Sequence, residues 1–145
     1  MSTIPDWVGA YIGLPYADKG RDRSGVDCYG LVKLILAEVS GIALPDYSGA
    51  YTTADDHNSV ADAVDAGLRD GWQRVKRPQA LDLLILRIAA RPWHTGLMVN
   101  AGMFIHCPPP GRDGHQSFSC IERLDNPQWA KRIEGFYRCT IPASN

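Results

Sequence analysis

The stretch that most constrains the fold runs from Gly25 to Leu36 and reads Gly-Val-Asp-Cys-Tyr-Gly-Leu-Val-Lys-Leu-Ile-Leu. From Cys28 onward the apolar residues recur at the spacing that places them on one face of an α-helix. They are Cys28, Leu31, Val32, Ile35, Leu36 and Val39. Asp27 is a candidate N-cap, and Gly41 can supply the left-handed residue that ends a helix. The pattern predicts a helix from about Asp27 to Ser40, buried along one side.

Cys28 falls in the first turn of this predicted helix. Backbone N–H groups without intrahelical partners and the positive end of the helix dipole favour a thiolate over a thiol there. The position therefore predicts a nucleophilic sulfur. A lone cysteine on a core-facing stripe is also the usual pattern of a small buried apolar residue, so the functional interpretation depends on catalytic partners.

Composition narrows the classes of protein to consider. The chain has 145 residues, 45% of them hydrophobic, which is enough for one domain with a genuine core, so we expect a single domain over residues 1–145. A net charge of -1 without a basic, aromatic-rich cluster argues against a nucleic-acid partner. The longest apolar run, Leu83 to Leu86, is too short to cross a bilayer, so no membrane partner is expected. Residues 1–7 lack the features of a secretory signal, which predicts synthesis in the cytoplasm without one.

The cysteines and histidines do not form a recognisable metal motif. The chain has four cysteines, which we expect to be reduced thiols in a cytoplasmic protein. Neither a C-x-x-C pair nor the helix motif H-E-x-x-H is present. We therefore predict no metal and no cofactor. The alternative is a metal held by a scattered set of ligands, such as His94, His106, His115 and Cys120.

Helical patterns come before strand patterns along the chain. Besides the Cys28 helix, helical spacing covers residues 5–14 and 53–70, and one helical turn is predicted at 127–132. Strand patterns cover 72–75, 81–88, 94–99, 103–107, 117–124 and 133–141. Because strands and helices seldom alternate, parallel crossovers are not expected. This order predicts an α+β domain with an antiparallel sheet.

Two of these strands flank the turn signal Asn100-Ala101-Gly102. A three-residue loop pairs Leu97 with Ile105, whereas a two-residue turn shifts the register and sends His94 and His106 to opposite faces. The three-residue loop is favoured because it gathers an almost wholly apolar set on one face: Leu97, Val99, Met103, Ile105 and Cys107. His94 and His106 then share the other face as diagonal neighbours, with Cα atoms roughly 7 to 8 Å apart.

Paired histidines of this kind give the cysteine its partners. A histidine beside a thiolate can hold it as an ion pair and later donate a proton to a leaving amine. A second polar group can fix the tautomer of that histidine. Either histidine alone would be interpreted as a structural residue. Together, Cys28, His94 and His106 supply all three roles and predict thiol chemistry.

These residues resemble the motifs of the NlpC-type cysteine peptidases of bacterial cell walls. The resemblance rests on Asp27-Cys28-Tyr29-Gly30-Leu31-Val32, His94-Thr95-Gly96-Leu97-Met98-Val99 and Phe104-Ile105-His106, and it covers most of Tyr11 to Arg138. It implies a papain-like α+β fold, with N-terminal helices and the nucleophile helix packed on an antiparallel β-sheet. It also implies that Cys28 is the nucleophile, His94 the base, His106 the residue that orients the base, and Tyr16 a residue near the oxyanion site.

Some residues depart from the usual family pattern. Tyr29 stands where many members have serine, and Gln79-Ala80-Leu81-Asp82 replaces the usual proline-glycine-aspartate before the central strand. Tyr29, Pro92-Trp93-His94 and the segment from Trp129 to Arg138 are more similar to the small cell-wall peptidases encoded in phage tail modules. Beside the nucleophile and base, the candidate substrate-binding residues are Asp27, Tyr29 and Trp93.

The resemblance implies a peptidoglycan hydrolase. Its expected reaction is hydrolysis of an amide in peptidoglycan stem peptides, at the bond between γ-D-glutamate and diaminopimelate. The expected partners are the stem peptide and other phage tail proteins, and the protein would reach the cell wall through a virion tail or a secretion machine. Two alternatives stay open: a structural or adaptor protein of the phage tail tip with the same fold, and a thiol acyltransferase.

Overall fold

The computed structural model describes residues 3–47, 57–89, 91–111 and 113–144. It begins with a short 3₁₀ helix, Asp6–Tyr11, and the remaining elements follow along the chain. They are β1 (Arg21–Asp22), β2 (Gly25–Val26), α1 (Cys28–Ser40), α2 (His57–Leu68), β3 (Trp72–Val75), β4 (Leu83–Ile88), β5 (Arg91–Met98), β6 (Met103–His106), β7 (Cys120–Arg123), α3 (Pro127–Ala130) and β8 (Ile133–Cys139). The start of the helix predicted from residue 53 lies outside the described residues.

A six-stranded sheet forms the centre of the molecule. Its strand order is β3-β8-β4-β5-β6-β7, and every neighbouring pair is antiparallel. The predicted α+β class with an antiparallel sheet is therefore confirmed. In the β5–β6 hairpin Leu97 pairs with Ile105 and Met98 with Phe104, which confirms the register of the three-residue loop. Within the described residues, every helix falls short of the length and apolar character of a membrane span.

Helix α1 begins and ends where the sequence predicts. Asp27 has an extended backbone, and its Oδ1 accepts a hydrogen bond from the Gly30 N–H at 2.7 Å, as an N-cap does. Gly41 ends the helix with a φ of 67°, a left-handed conformation that glycine adopts without steric cost. The apolar side of α1 is buried against one face of the sheet. The buried core between them contains Leu31, Val32, Ile35 and Leu36 from α1, and Ile85, Leu97, Val99 and Ile105 from the sheet side.

The opposite face of the sheet is covered by α3. Trp129 of α3 packs in a cluster with Leu84, Leu86, Met98 and Phe104. Successive side chains of a strand point to alternate faces, and directly paired residues share a face. Because Leu86 pairs with His94 and Ile85 with Thr95, His94 lies on the Trp129 face and Thr95 on the α1 face. Strand β5 is therefore buried on both sides at the position of the predicted base.

Candidate active site

His94 of β5 and His106 of β6 are joined ring to ring. Neither histidine has any solvent-exposed surface. Nε2 of His94 lies 2.8 Å from Nδ1 of His106, which is a hydrogen bond between the two imidazoles. The register predicted for the hairpin thus brings the two rings into direct contact.

Glu122 of β7 extends this pair, although no motif in the sequence singles it out. Its Oε2 lies 3.2 Å from Nε2 of His106 and accepts a hydrogen bond from Nε1 of Trp129 at 2.6 Å. The Trp129 ring in turn stacks on His94, with ring centroids 5.9 Å apart. In the sequence, Glu122 is indicated only by the predicted strand 117–124, in which alternate side chains point to the same face. That signal becomes specific only once β7 is known to pair with β6.

The two histidines are neutral at pH 7. Burial lowers the pKa of His106 to about 4, against the opposing effect of the Glu122 carboxylate. Burial, and then the neighbouring His106, lowers the pKa of His94 well below its ordinary value. Each ring therefore carries a single proton, and the hydrogen bonds determine on which nitrogen that proton lies.

The carboxylate at the end of the chain of hydrogen bonds sets both tautomers. Because Glu122 can only accept, Nε2 of His106 carries the proton and donates it. Nδ1 of His106 must then accept from the Nε2–H of His94. Nδ1 of His94 is left unprotonated, and it has no hydrogen-bond partner among the described residues. A buried, unprotonated and unpartnered imidazole nitrogen is what a general base requires.

Cys28 lies at the start of α1 with only 6% of its surface exposed. It packs in a small cluster with Ala61 of α2 and Trp93 of β5. Burial, followed by the charge of Asp27, raises the pKa of its thiol to about 11, against hydrogen bonding from the backbone of Thr95. The prediction that the helix start favours a thiolate is therefore wrong for this enclosed arrangement, because desolvation outweighs the helix N-terminus.

Cys28 lies against the two residues of β5 that flank His94 in sequence. Trp93 packs against Cys28, and the backbone of Thr95 hydrogen-bonds to its sulfur. Within the described residues, no hydrogen bond joins Cys28 to His94. The resting site therefore holds a neutral thiol and a neutral imidazole rather than an ion pair.

Asp27 has a structural role. It is 2% exposed, and its carboxylate accepts hydrogen bonds from the Gly30 N–H, from Nη1 of Arg21 at 2.8 Å and from the Lys19 N–H at 3.1 Å. A carboxylate enclosed and occupied in this way does not reach a substrate. The prediction that Asp27 binds substrate is corrected: it fixes the start of α1 and anchors Arg21.

Tyr29 and Trp93 also use their polar atoms within the fold. The Tyr29 hydroxyl donates to the carbonyl oxygen of Pro45 at 2.6 Å, and its half-buried ring can still border a cleft. The Nε1–H of Trp93 donates to the carbonyl oxygen of Ile88 at 2.8 Å, and the side chain is 1% exposed. The Trp93 ring is therefore enclosed together with Cys28 and Ala61. A substrate contact by Trp93 stays a prediction, and it requires the same opening that uncovers the Cys28 sulfur. A substrate contact by Tyr29 stays a prediction.

Tyr16 lies half-buried within electrostatic range of the sulfur. Its hydroxyl donates to Oδ1 of Asp18 at 3.0 Å. Burial raises the pKa of Tyr16 well above its ordinary value, and the neighbouring Asp18 carboxylate raises it further, so the phenol keeps its proton. To donate to an oxyanion, the phenol would have to turn its single proton away from Asp18, and this role for Tyr16 stays a prediction.

The neutral histidine pair predicts a fold that is sensitive to acid. The pKa of His106 is about 4 in the folded state against an ordinary value of 6.5, so the unfolded chain binds more protons between these values. Stability is therefore full above about pH 6.5 and is lost as the pH falls towards 4, by on the order of 3 kcal/mol for His106 alone. Urea unfolding at about pH 7 and about pH 4.5 measures this loss, which His106→Gln should reduce. His115→Gln, at an exposed position, is the control. An unchanged pH dependence in His106→Gln would contradict the neutral pair.

The fold and the site together define a class of protein. A cysteine that opens a helix packed on an antiparallel sheet is the arrangement of papain-like proteins, and in this chain a histidine pair lies on adjacent strands of that sheet. The chain belongs to the NlpC/P60 family, whose sequence model matches residues 13–138. The predicted family is therefore confirmed.

Two curated relatives show how much of longer proteins this chain matches. Protein P54 of Enterococcus faecium is 29% identical over 103 residues, which are 71% of this chain and 17% of that protein. Murein DD-endopeptidase MepS/Murein LD-carboxypeptidase of Escherichia coli K12 is 26% identical over 131 residues, which are 90% of this chain and 58% of that protein. The chain thus spans only part of the length of both relatives.

Two solved structures share the fold. The crystal structure of the NlpC/p60 domain of peptidoglycan hydrolase SagA has a TM-score of 0.56 at 23% identity and covers 89% of both chains. An NlpC/P60 family protein from Bacillus cereus ATCC 10987 has a TM-score of 0.63 at 21% identity, over 97% of this chain and 41% of that one. These likenesses confirm the predicted papain-like α+β fold.

Proposed function

We propose that this protein is a cysteine peptidase that hydrolyses an amide bond in peptidoglycan stem peptides. The observation that carries the proposal is the hydrogen-bonded chain from His94 through His106 to Glu122, which leaves an unprotonated nitrogen on the strand beside Cys28. The names of two similar proteins, a murein endopeptidase and a peptidoglycan hydrolase, support peptidoglycan as the substrate.

The proposed reaction begins with transfer of the Cys28 thiol proton to Nδ1 of His94. The sulfur attacks the carbonyl carbon of the scissile amide, and the backbone N–H groups at the start of α1, with the Tyr16 hydroxyl, would donate to the oxyanion. The positive charge on His94 is offset through His106 by the Glu122 carboxylate. His94 then protonates the leaving amine, and a water molecule, deprotonated by His94, hydrolyses the thioester.

Substrate entry has to uncover the sulfur. Ala61 of α2 is itself buried and belongs to the same small cluster as Cys28. We propose that this part of α2 shifts to let a scissile carbonyl approach the sulfur. The same shift would hydrate the site, reduce the desolvation that raises the pKa of Cys28, and favour proton transfer to His94.

Three more specific proposals come from the resemblance to NlpC-type peptidases and to the small members encoded in phage tail modules. They are cleavage between γ-D-glutamate and diaminopimelate, delivery to the cell wall by a virion tail or a secretion machine, and contact with other phage tail proteins. Two alternatives are weighed against hydrolysis: a structural or adaptor protein of the tail tip, and a thiol acyltransferase. The intact series of Cys28, His94 and His106 favours an active enzyme over the adaptor.

Incubation of the purified protein with stem-peptide fragments, followed by mass spectrometry, tests the proposal. We expect two products whose masses sum to that of the substrate plus one water, one of them a fragment that begins with diaminopimelate. An added amine serves as the acceptor control. Products that carry this amine instead of water would identify an acyltransferase. The absence of turnover with every stem peptide would contradict the peptidase and favour the adaptor.

A further inference from the structure

The edge of the sheet beside the histidine pair carries a thiol that the proposed reaction does not use. Cys120 of β7 pairs directly with His106 of β6, and Glu122 follows two residues later on the same side of β7. A ring nitrogen of His106, Sγ of Cys120 and a carboxylate oxygen of Glu122 all lie within 4.8 Å of one another. In the described part of the chain, this is the one group of at least three such donors that converges so closely.

The three donors match the ligand preferences of zinc. Imidazole nitrogen, thiolate sulfur and carboxylate oxygen are its common protein ligands, bound at about 2.0 to 2.3 Å in a tetrahedron, so that neighbouring ligand atoms are about 3.3 Å apart. Nε2 of His106 and Oε2 of Glu122 are already 3.2 Å apart. Rotation of the Cys120 side chain would bring its sulfur towards the same point.

The cluster is accessible from solvent on one side. His106 is fully buried, but Cys120 is half-buried and the Glu122 side chain is 24% exposed. A cation can therefore enter past the thiol and the carboxylate and bind the Nε2 side of the imidazole. Three protein ligands leave the fourth tetrahedral position for water. Oε2 of Glu122 has more than one lone pair, so it can bind the cation while it keeps its hydrogen bond from Trp129.

We propose that His106, Cys120 and Glu122 form a binding site for Zn²⁺, and that occupation of this site inactivates the peptidase. The proposal of a metal site depends only on the arrangement of the three donor atoms. The inactivation rests on the proposed function.

Inactivation follows from the tautomers of the two histidines. A cation on Nε2 of His106 takes the electron pair of the nitrogen that otherwise donates to Glu122, so the single ring proton moves to Nδ1. Nδ1 then donates to Nε2 of His94, and the hydrogen bond between the rings reverses. His94 must now carry its own proton on Nδ1, so it cannot accept the Cys28 proton. Cys120 loses its thiol proton to solvent when the cation binds.

Spectroscopy with Co²⁺ tests the site without any need for hydrolysis. Cys28→Ala is the starting protein, because it removes the competing thiol of the active site. We expect one equivalent of Co²⁺ to bind and to produce a near-ultraviolet absorption band from cobalt–thiolate charge transfer. The double variant Cys28→Ala/Cys120→Ser should lose this band, and Cys28→Ala/Cys139→Ser, which lacks a different half-buried thiol, should keep it. A band that persists without Cys120 would overturn the site.

Zinc titration of stem-peptide hydrolysis tests the inactivation. We expect Zn²⁺ to inhibit the wild-type protein and a chelator to restore it. Cys120→Ser should hydrolyse substrate like the wild type in the absence of metal and should need at least tenfold more Zn²⁺ for the same inhibition. Equal inhibition of Cys120→Ser would assign the inhibitory zinc to Cys28 and overturn the switch. A cobalt band at Cys120 in a wild-type protein that hydrolyses no stem peptide would support the site and contradict the proposed function.

Discussion

Replacement of Cys28 by alanine is expected to reduce stem-peptide hydrolysis to background. The proposed reaction forms a thioester on this sulfur, and an alanine side chain offers no atom that can replace it. Removal of the nucleophile of a serine protease costs on the order of 10⁶ in turnover, which sets the scale of the expected loss. The measurement is product formation by mass spectrometry, with folding checked by circular dichroism.

Cys120→Ser is the matched control for this prediction. It removes another thiol near the histidine pair but takes no group from the proposed reaction. It should therefore keep the turnover of the wild type in metal-free buffer. Undiminished hydrolysis by a folded Cys28→Ala protein would show that the nucleophile has been assigned to the wrong residue.

The second large effect is expected at His106. His106→Ala removes the acceptor for the Nε2–H of His94, so the base loses the contact that sets its tautomer. In a serine-protease triad, an orienting group that enforces the wrong tautomer costs about 10⁴ in turnover, and we expect a loss of that order. His106→Asn and His106→Gln should each retain a measurable fraction, because an amide oxygen can accept the same N–H.

The contact of His106 with Glu122 also affects the comparison of the alanine, asparagine and glutamine variants. The amide of a glutamine or asparagine can both accept and donate a hydrogen bond. It can therefore replace both hydrogen bonds of His106, the one from His94 and the one to Glu122. Turnover of one stem-peptide substrate by the three variants, with folding verified, is the measurement. Equal and complete loss in all three would mean that His106 performs a step that only an imidazole can perform, such as proton transfer, and the choice of base would have to be revised.

Local sequence signals predicted the parts of the site that depend on neighbours in the chain. The helix of Cys28 was predictable because Asp27 and Gly41 provide a cap at each end of an apolar stripe. The contact between His94 and His106 was predictable because a three-residue loop determines the pairing of the two strands. Both features follow from a few consecutive residues and elementary backbone geometry.

Features that depend on distant segments were missed. Glu122 reaches His106 only because β7 pairs with β6 after the long connection 107–119, which carries no short hairpin signal. The raised pKa of Cys28 arises from burial beneath another helix, and burial of this kind cannot be seen in the residues around the cysteine. The enclosure of Trp93 in the same cluster, with its indole N–H donating to the backbone of Ile88, could not be seen in the local sequence either.

The enclosure of Cys28 beneath α2 has a consequence for inhibitor design. The resting sulfur is uncharged and packed against Ala61 and Trp93, so a general thiol reagent in solution encounters the more exposed sulfurs of Cys120 and Cys139 first. An electrophile attached to a stem-peptide mimic would instead use the binding energy of the peptide to open the cover and meet the sulfur as it becomes ionised. Selectivity against this protein should therefore be sought in the peptide portion of an inhibitor, combined with a weakly reactive electrophile.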